Sequence, residues 1–185
     1  MAVINVDAAG GPNVVAFLDM LAWSEIGPAM LSQSQDGYNL IVGSLPGRLI
    51  TFNDYSDHPR KLITLNNHGI KSSAAGRYQF LSRTWDSIVR NYGFKGRFIP
   101  EAQDLAAIKL LKECGALSRI KEGRIADAIR KASPIWASLP GAGYGQLEHD
   151  MARLLDIYEE EMPLVERQSE VALVQCFRNM GGVAS

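Results

Sequence analysis

Residues 13–25, Asn-Val-Val-Ala-Phe-Leu-Asp-Met-Leu-Ala-Trp-Ser-Glu, restrict this chain more than any other stretch. Asn13 is a candidate N-cap, because its side-chain oxygen can accept from an orphan amide of a first helical turn. Val14, Phe17, Leu18 and Leu21 follow at helical spacing and make one apolar stripe of an amphipathic helix. The next step along that stripe is Glu25. A carboxylate therefore falls on the buried side, just where Ile26-Gly27-Pro28 stops the helix. Such a group is costly unless it is paired, protonated or facing a cleft. Two readings stay open: an acid that bends outward at a frayed helix end, or a general acid whose pKa is raised by partial burial.

A chain of 185 residues suits one domain with a real core. The formal net charge of -1 offers no basic face for nucleic acid. No run approaches the roughly 18 apolar residues of a membrane span. Residues 1–11 lack the basic-then-apolar order of a secretory signal. Cys114 and Cys176 lie far apart and read as reduced thiols. His58, His68 and His149 are not at ligand spacing, so no metal and no other cofactor is expected.

Residues 1–12 end in Gly10-Gly11-Pro12 and read as a flexible lead-in, and residues 27–37 as a loop. Tyr38–Val42 and Arg48–Phe52 are short and β-branched, with a Gly/Pro turn between them, which predicts a β-hairpin. Lys61–Leu65 is a third strand or loop. Helical stripes follow: Leu81 to Tyr92, Pro100 to Leu111, Ile125 to Ala132, and Leu147 to Tyr158 with a stop at Pro163. A last helix runs from Leu164 to Met180 and stops at Gly181-Gly182. The sum is α+β: a mostly helical body, a small β-hairpin lobe and a cleft between them.

Three further stretches carry candidate chemistry. In Asn53–Arg60, Asp54 and Asp57 are either a second carboxylate opposite Glu25 or Asx-turn residues, and His58 is a general base or a structural turn residue. In Ala74–Gln79, small residues let a ligand approach the backbone, while Tyr78 and Gln79 offer the aromatic face and amide that sugars use. The same stretch also reads as a plain helix start with a buried Tyr. Ile135–Gln146 is a glycine-rich loop holding Tyr144, with Trp136 reading as core. From the residues, the best-supported idea is a carbohydrate cleft with Glu25 as general acid.

Phe-Leu-Asp-Met-Leu-Ala-Trp-Ser-Glu25, Phe-Asn-Asp-Tyr-Ser-Asp-His-Pro-Arg-Lys-Leu62, Ala-Gly-Arg-Tyr-Gln79 and Ile-Trp-Ala-Ser-Leu-Pro-Gly-Ala-Gly-Tyr-Gly-Gln146 together resemble the bacteriophage lambda endolysin family, in the family's order. The resemblance implies a lysozyme-like fold with a catalytic domain over 13–160; residues 161–185 extend beyond the family's usual end and read as an added helix packing on the body. It implies a lytic transglycosylase that cleaves the β-1,4 bond between N-acetylmuramic acid and N-acetylglucosamine in peptidoglycan and leaves 1,6-anhydro-muramic ends. The family's catalytic glutamate falls on Glu25. Substrate binding falls on Asp54, Tyr55, Asp57 and His58 in one lip, Gly143 and Tyr144 in the other, and Arg77, Tyr78 and Gln79 in the cleft. The alternatives are a muramidase that uses water, or a non-catalytic peptidoglycan-binding phage protein. A monomer is expected in the host cytoplasm, without membrane insertion, reaching peptidoglycan glycan strands through a holin-type pore.

Overall fold

Helix α2 (Pro12–Ile26) is the centre of the molecule. Pro12 at its first turn lacks an N–H that would have had no helical partner, and its fixed φ suits a helix start. Every residue from Val14 to Ala22 is buried, so the helix is enclosed on all sides rather than amphipathic. Asn13 does not cap it. Gly11 holds that position, and the Asn13 amide donates instead to Ile120 O at 3.2 Å. The computed structural model describes residues 1–65, 69–94, 97–145 and 147–179; His68, Gln146 and the Gly181-Gly182 stop lie outside them.

The first twelve residues differ from a flexible lead-in. Asn5 caps a short helix α1 (Val6–Ala9) by accepting from the Asp7 and Ala8 amides, and Ala2 and Ile4 are buried. The amides of Val3 and Ile4 both donate to Asp104 Oδ2 at 2.9 Å, and the Ala2 amide donates to Asp19 Oδ1 at 2.6 Å. Local sequence hides this, since Asp104 is about a hundred residues away. The segment after α2 is likewise not all loop. Gly27, at φ 84°, takes the sharp bend, and Pro28 restarts a helix α3 (Pro28–Gln33).

The expected hairpin forms, but as isolated bridges. Leu40 pairs with Thr51 and Leu45 with Arg48. Between these bridges Ser44 intrudes: its Oγ accepts from the Ile50 amide at 2.9 Å and donates to Ile41 O at 2.8 Å, in place of a continuous backbone ladder. The other edge of Leu40–Val42 bonds the turn segment, with Val42 N donating to Ala74 O and Gly76 N to Leu40 O. The third extended stretch pairs elsewhere: β1 (Ile63–Thr64) is antiparallel to β2 (Lys71–Ser72), with Ile63 opposite Ser72.

Helices α4 (Ser82–Tyr92), α5 (Pro100–Glu113) and α7 (Ile125–Ala132) fall where the stripes put them, and a short α6 (Ala116–Lys121) joins the last two. The final helix, α8 (Met151–Asn179), does not stop at Pro163 but runs through it. Pro163 forfeits one helical hydrogen bond, a cost of about 3 kcal/mol in a helix interior. Burial of Leu154, Ile157 and Tyr158 before it and Val165 after it offsets that cost, as α8 packs along α2. Beyond Val165 no described side chain is buried, and Val171, Leu173 and Val174 are exposed.

Two outcomes follow from this packing. Asp104→Ala strips the acceptor from two amides and from the hydroxyls of Tyr38 and Tyr78, and should lower urea-measured stability by more than about 3 kcal/mol. Amide exchange at Val3 and Ile4 should quicken with it. Ending the chain after Gln168 removes, among the described residues, no buried side chain and should shift Tm by less than about 2 °C in a calorimetric scan.

Candidate active site

Glu25 stands in the last turn of α2 and is partly buried. Burial pushes its carboxyl above the ordinary glutamate range, and the Ser138 hydroxyl, 2.5 Å from Oε1, opposes that shift. The C-terminal end of a helix carries partial negative charge, so the location also disfavours the ionised form. No cationic side chain contributes to the shift. The result is a carboxyl held by a neutral hydroxyl and biased toward its protonated form.

Ser138 reaches Glu25 from the glycine-rich loop between α7 and α8. It also lies 3.0 Å from Ser24 Oγ. The loop is fastened at several points. Glu148 accepts from the Gly141 and Gly143 amides at 2.8 and 2.7 Å, Tyr144 donates to Pro134 O at 2.6 Å, and the His149 amide donates to Ser138 O at 2.9 Å. His149 Nε2 lies 3.1 Å from Ser24 O, and its ring packs against Trp23 at 4.9 Å. Gly143 and Tyr144 therefore belong to the loop that touches Glu25, and Tyr144 is 57% exposed. Trp136 is core, as its pattern suggested, donating its indole N–H to Tyr78 O.

The Asn53–Arg60 stretch divides between surface and core. Asp54 is exposed and accepts from the Ser56 amide at 2.8 Å in an Asx turn; the Ser56 side chain first, and that amide second, hold its carboxyl below the usual range. Asp57 pairs with Arg60 at 3.0 Å, and Arg60 also grips Asp86. Burial lifts the Asp57 carboxyl, and the bonds from Arg60 and the His58 amide outweigh that and leave it lowered. Tyr55 is half-buried and donates its hydroxyl to Gln35 at 2.7 Å. His58 is only 3% exposed; its Nε2 meets Phe80 O at 2.8 Å, its Nδ1 accepts the Arg60 amide, and its ring packs on Phe98. That placement corrects the expectation of His58 as a glycan contact. It is a structural pin, kept neutral by burial that lowers its pKa.

Arg77 and Tyr78 also turn inward, at 1% and 0% exposure, and present no surface to a ligand. Arg77 pairs with Asp19 at 2.5 Å and with Asp36 at 2.9 Å, and Tyr78 donates to Asp104 at 2.7 Å. What approaches the small-residue turn is the protein itself. A Cβ on Gly76 would lie 2.2 Å from Gln103 Oε1, and that oxygen accepts the Arg77 amide. Of this motif only Gln79 is partly exposed; it sits at φ 48° and its amide donates to Gly76 O. Ser138 as the partner of Glu25, with Ser24 and His149 behind it, was not legible in the sequence. Ser24 and Ser138 stand inside the quoted motifs, but nothing in the spacing announces that Ser138 meets Glu25 across 113 residues. Among the described residues no group of His, Cys, Asp and Glu could hold a metal ion. A groove lined by Gly123, Arg124, Asp127, Leu155 and Tyr158 contains none of the candidate residues.

A family model described as Endolysin matches residues 15–165. An endolysin of Escherichia phage lambda is 52% identical over 146 residues, spanning 78% of this chain and 88% of the relative. One of Escherichia phage P2 is 45% identical over 150 residues, spanning 79% and 90%. Bacteriophage lambda lysozyme complexed with a chitohexasaccharide superposes with a TM-score of 0.74 at 48% identity, covering 87% of this chain and 97% of that one. A second structure of lysozyme from bacteriophage lambda gives a TM-score of 0.69 at 47% identity over the same shares.

The raised Glu25 pKa fixes a sign for stability. A carboxyl whose folded pKa lies above its unfolded value favours folding when protonated, and loses that contribution as pH climbs from the ordinary value through the raised one. Glu25→Gln keeps an acceptor for Ser138 and removes the ionisation. Its Tm should therefore exceed that of the parent at pH 7. The gap should close below about pH 4, where both are neutral.

Proposed function

This chain belongs to the endolysin family, and on that premise we propose that it is a lytic transglycosylase of peptidoglycan, breaking the β-1,4 bond between N-acetylmuramic acid and N-acetylglucosamine with Glu25 as its one acid and base. The observation that carries this reading is the carboxyl of Glu25: partly buried, biased toward protonation and bonded to a neutral hydroxyl. Protonated, it gives its proton to the leaving glycosidic oxygen while C1 of the muramic sugar takes on oxocarbenium character. As carboxylate, it then takes the proton of the C6 hydroxyl, whose oxygen closes on C1 of the same sugar. The nucleophile is part of the substrate, so the attack has a high effective molarity and no water needs activation.

A hydrolase on this scaffold would use Asp54 or Asp57 as a second carboxylate. Asp54 accepts the Ser56 amide and Asp57 pairs with Arg60, bonds that the one-carboxylate mechanism leaves undisturbed. The lambda lysozyme structure with a bound chitohexasaccharide supports a glycan strand as the ligand class. The groups suited to meet such a strand are the exposed Tyr144 and Gly143 on one side and, on the other, the exposed Asp54 with the partly exposed Tyr55, Asp57 and Gln79. No helix among the described residues is long and apolar enough to cross a membrane. In this reading the enzyme works as a monomer on the cell wall after a holin-type pore has opened the way from the host cytoplasm, with residues 13–160 as the catalytic unit.

Mass spectrometry of muropeptides released from purified peptidoglycan tests the chemistry. Products lighter by one water than hydrolytic ones, with 1,6-anhydro ends, are expected. Free reducing ends would replace the proposal with a hydrolase, and binding without release would replace it with a glycan-binding protein. Glu25→Gln should lower turnover by at least about 1000-fold while glycan binding persists, because the step has no other proton donor.

A further inference from the structure

We propose that Ser24 and Ser138 form a hydroxyl relay that serves both protonation states of Glu25, Ser138 donating to the carboxylate when Glu25 is ionised and turning its proton to Ser24 when Glu25 is protonated. The inference rests on the acid–base role proposed above for Glu25. A serine hydroxyl has one proton to give and lone pairs to accept with. Ser24 Oγ spends its proton on Leu21 O at 2.8 Å, so toward Ser138 it can only accept. Ser138 Oγ has two acceptors in reach, Glu25 Oε1 at 2.5 Å and Ser24 Oγ at 3.0 Å, and one proton between them.

With Glu25 ionised, that proton points at Oε1, a charge-assisted bond. With Glu25 protonated, the carboxyl O–H donates to Ser138 Oγ, and the Ser138 proton rotates to Ser24 Oγ. No heavy atom moves and no proton changes owner. In either state Glu25 Oε1, Ser138 Oγ and Ser24 Oγ each keep a hydrogen-bond partner. A residue that must give a proton and later take one back needs such a neighbour. A lysine or arginine there would hold Glu25 ionised and spoil the first half of the cycle.

The spacing is held from both sides. Ser138 O accepts the His149 amide at 2.9 Å, and the His149 ring nitrogen lies 3.1 Å from Ser24 O, so one residue clips both hydroxyl carriers. Leu139, beside Ser138, is fully buried. The titratable and charged groups on the packed elements include His149, against Trp23, Glu148, on the Gly141 and Gly143 amides, Asp150, and Arg153 of α8, whose guanidinium lies 5.3 Å over the Trp23 ring. Among the described residues none of these makes a hydrogen bond or ion pair with Glu25.

The test is a carbon-13 NMR titration of the Glu25 side-chain carboxyl in the full chain, with the alkaline limb of kcat/KM as a second readout. Ser138→Ala removes the donor that favours the carboxylate, so the midpoint should rise by about one pH unit. Ser24→Ala removes the acceptor that completes the protonated arrangement, so the midpoint should fall by about half a pH unit. Ser138→Thr, which keeps the hydroxyl, should stay near the parent. If Ser24→Ala does not fold, Ser24→Cys, a weaker acceptor, should move the midpoint in the same downward direction. Shifts of one sign in both positions, or lowered melting temperatures with unmoved midpoints, would overturn the relay. Neither outcome would alter the anhydro products of the parent enzyme, and reducing-end products would overturn the transglycosylase reading without touching the titrations.

Discussion

A guanidinium leaves water only if its charge is met inside, and the fold is arranged around meeting that of Arg77. Asp19 comes to it from the middle of α2 and Asp36 from the segment after α3, and its guanidinium lies 5.2 Å over the ring of Tyr38. A second buried acid, Asp104 on α5, accepts from Tyr38 and Tyr78 and from the amides of Val3 and Ile4. These two knots join the N-terminal segment, the central helix, the β region and α5. Removing any one partner leaves an uncompensated charge or several unmet donors in the core. The direction in which α2 emerges toward its last turn is thereby set from four parts of the chain.

Glu25 inherits that rigidity. It stands on a helix rather than on a loop, and that helix is enclosed from Val14 to Ala22. The mobile-looking glycine-rich loop comes to it and not the reverse. Glu148 draws the loop closed on two glycine amides, and His149 ties its far end to the backbone of α2. In the proposed reading the acid stands where packing holds position, and the loop beside it is held by its own hydrogen bonds.

Much of this architecture was legible locally. Helices α4, α5 and α7 announce themselves by apolar periodicity, and the Glu25 anomaly is visible as a carboxylate in register with a core stripe. Where reading the residues failed, the reason lay in partners distant in sequence. Ser44 breaks a strand ladder because its hydroxyl finds Ile50 and Ile41 together. Pro163 fails to stop α8 because the apolar residues on both sides of it pack against α2. The Arg-Tyr-Gln motif resembles a sugar contact, but two of its three side chains serve the core.

The sequence by itself determined the helical body with its small β region, the family, and the carboxylate in register with a core stripe. Those follow from residue spacing and from motifs, which are properties of neighbours along the chain. Only the tertiary structure decided which polar residues are scaffold and which face outward, because Arg77, Tyr78 and His58 have the same chemistry buried or exposed. It alone set Ser138 against Glu25, since a contact between residues 113 positions apart exists only once the helices between them have packed.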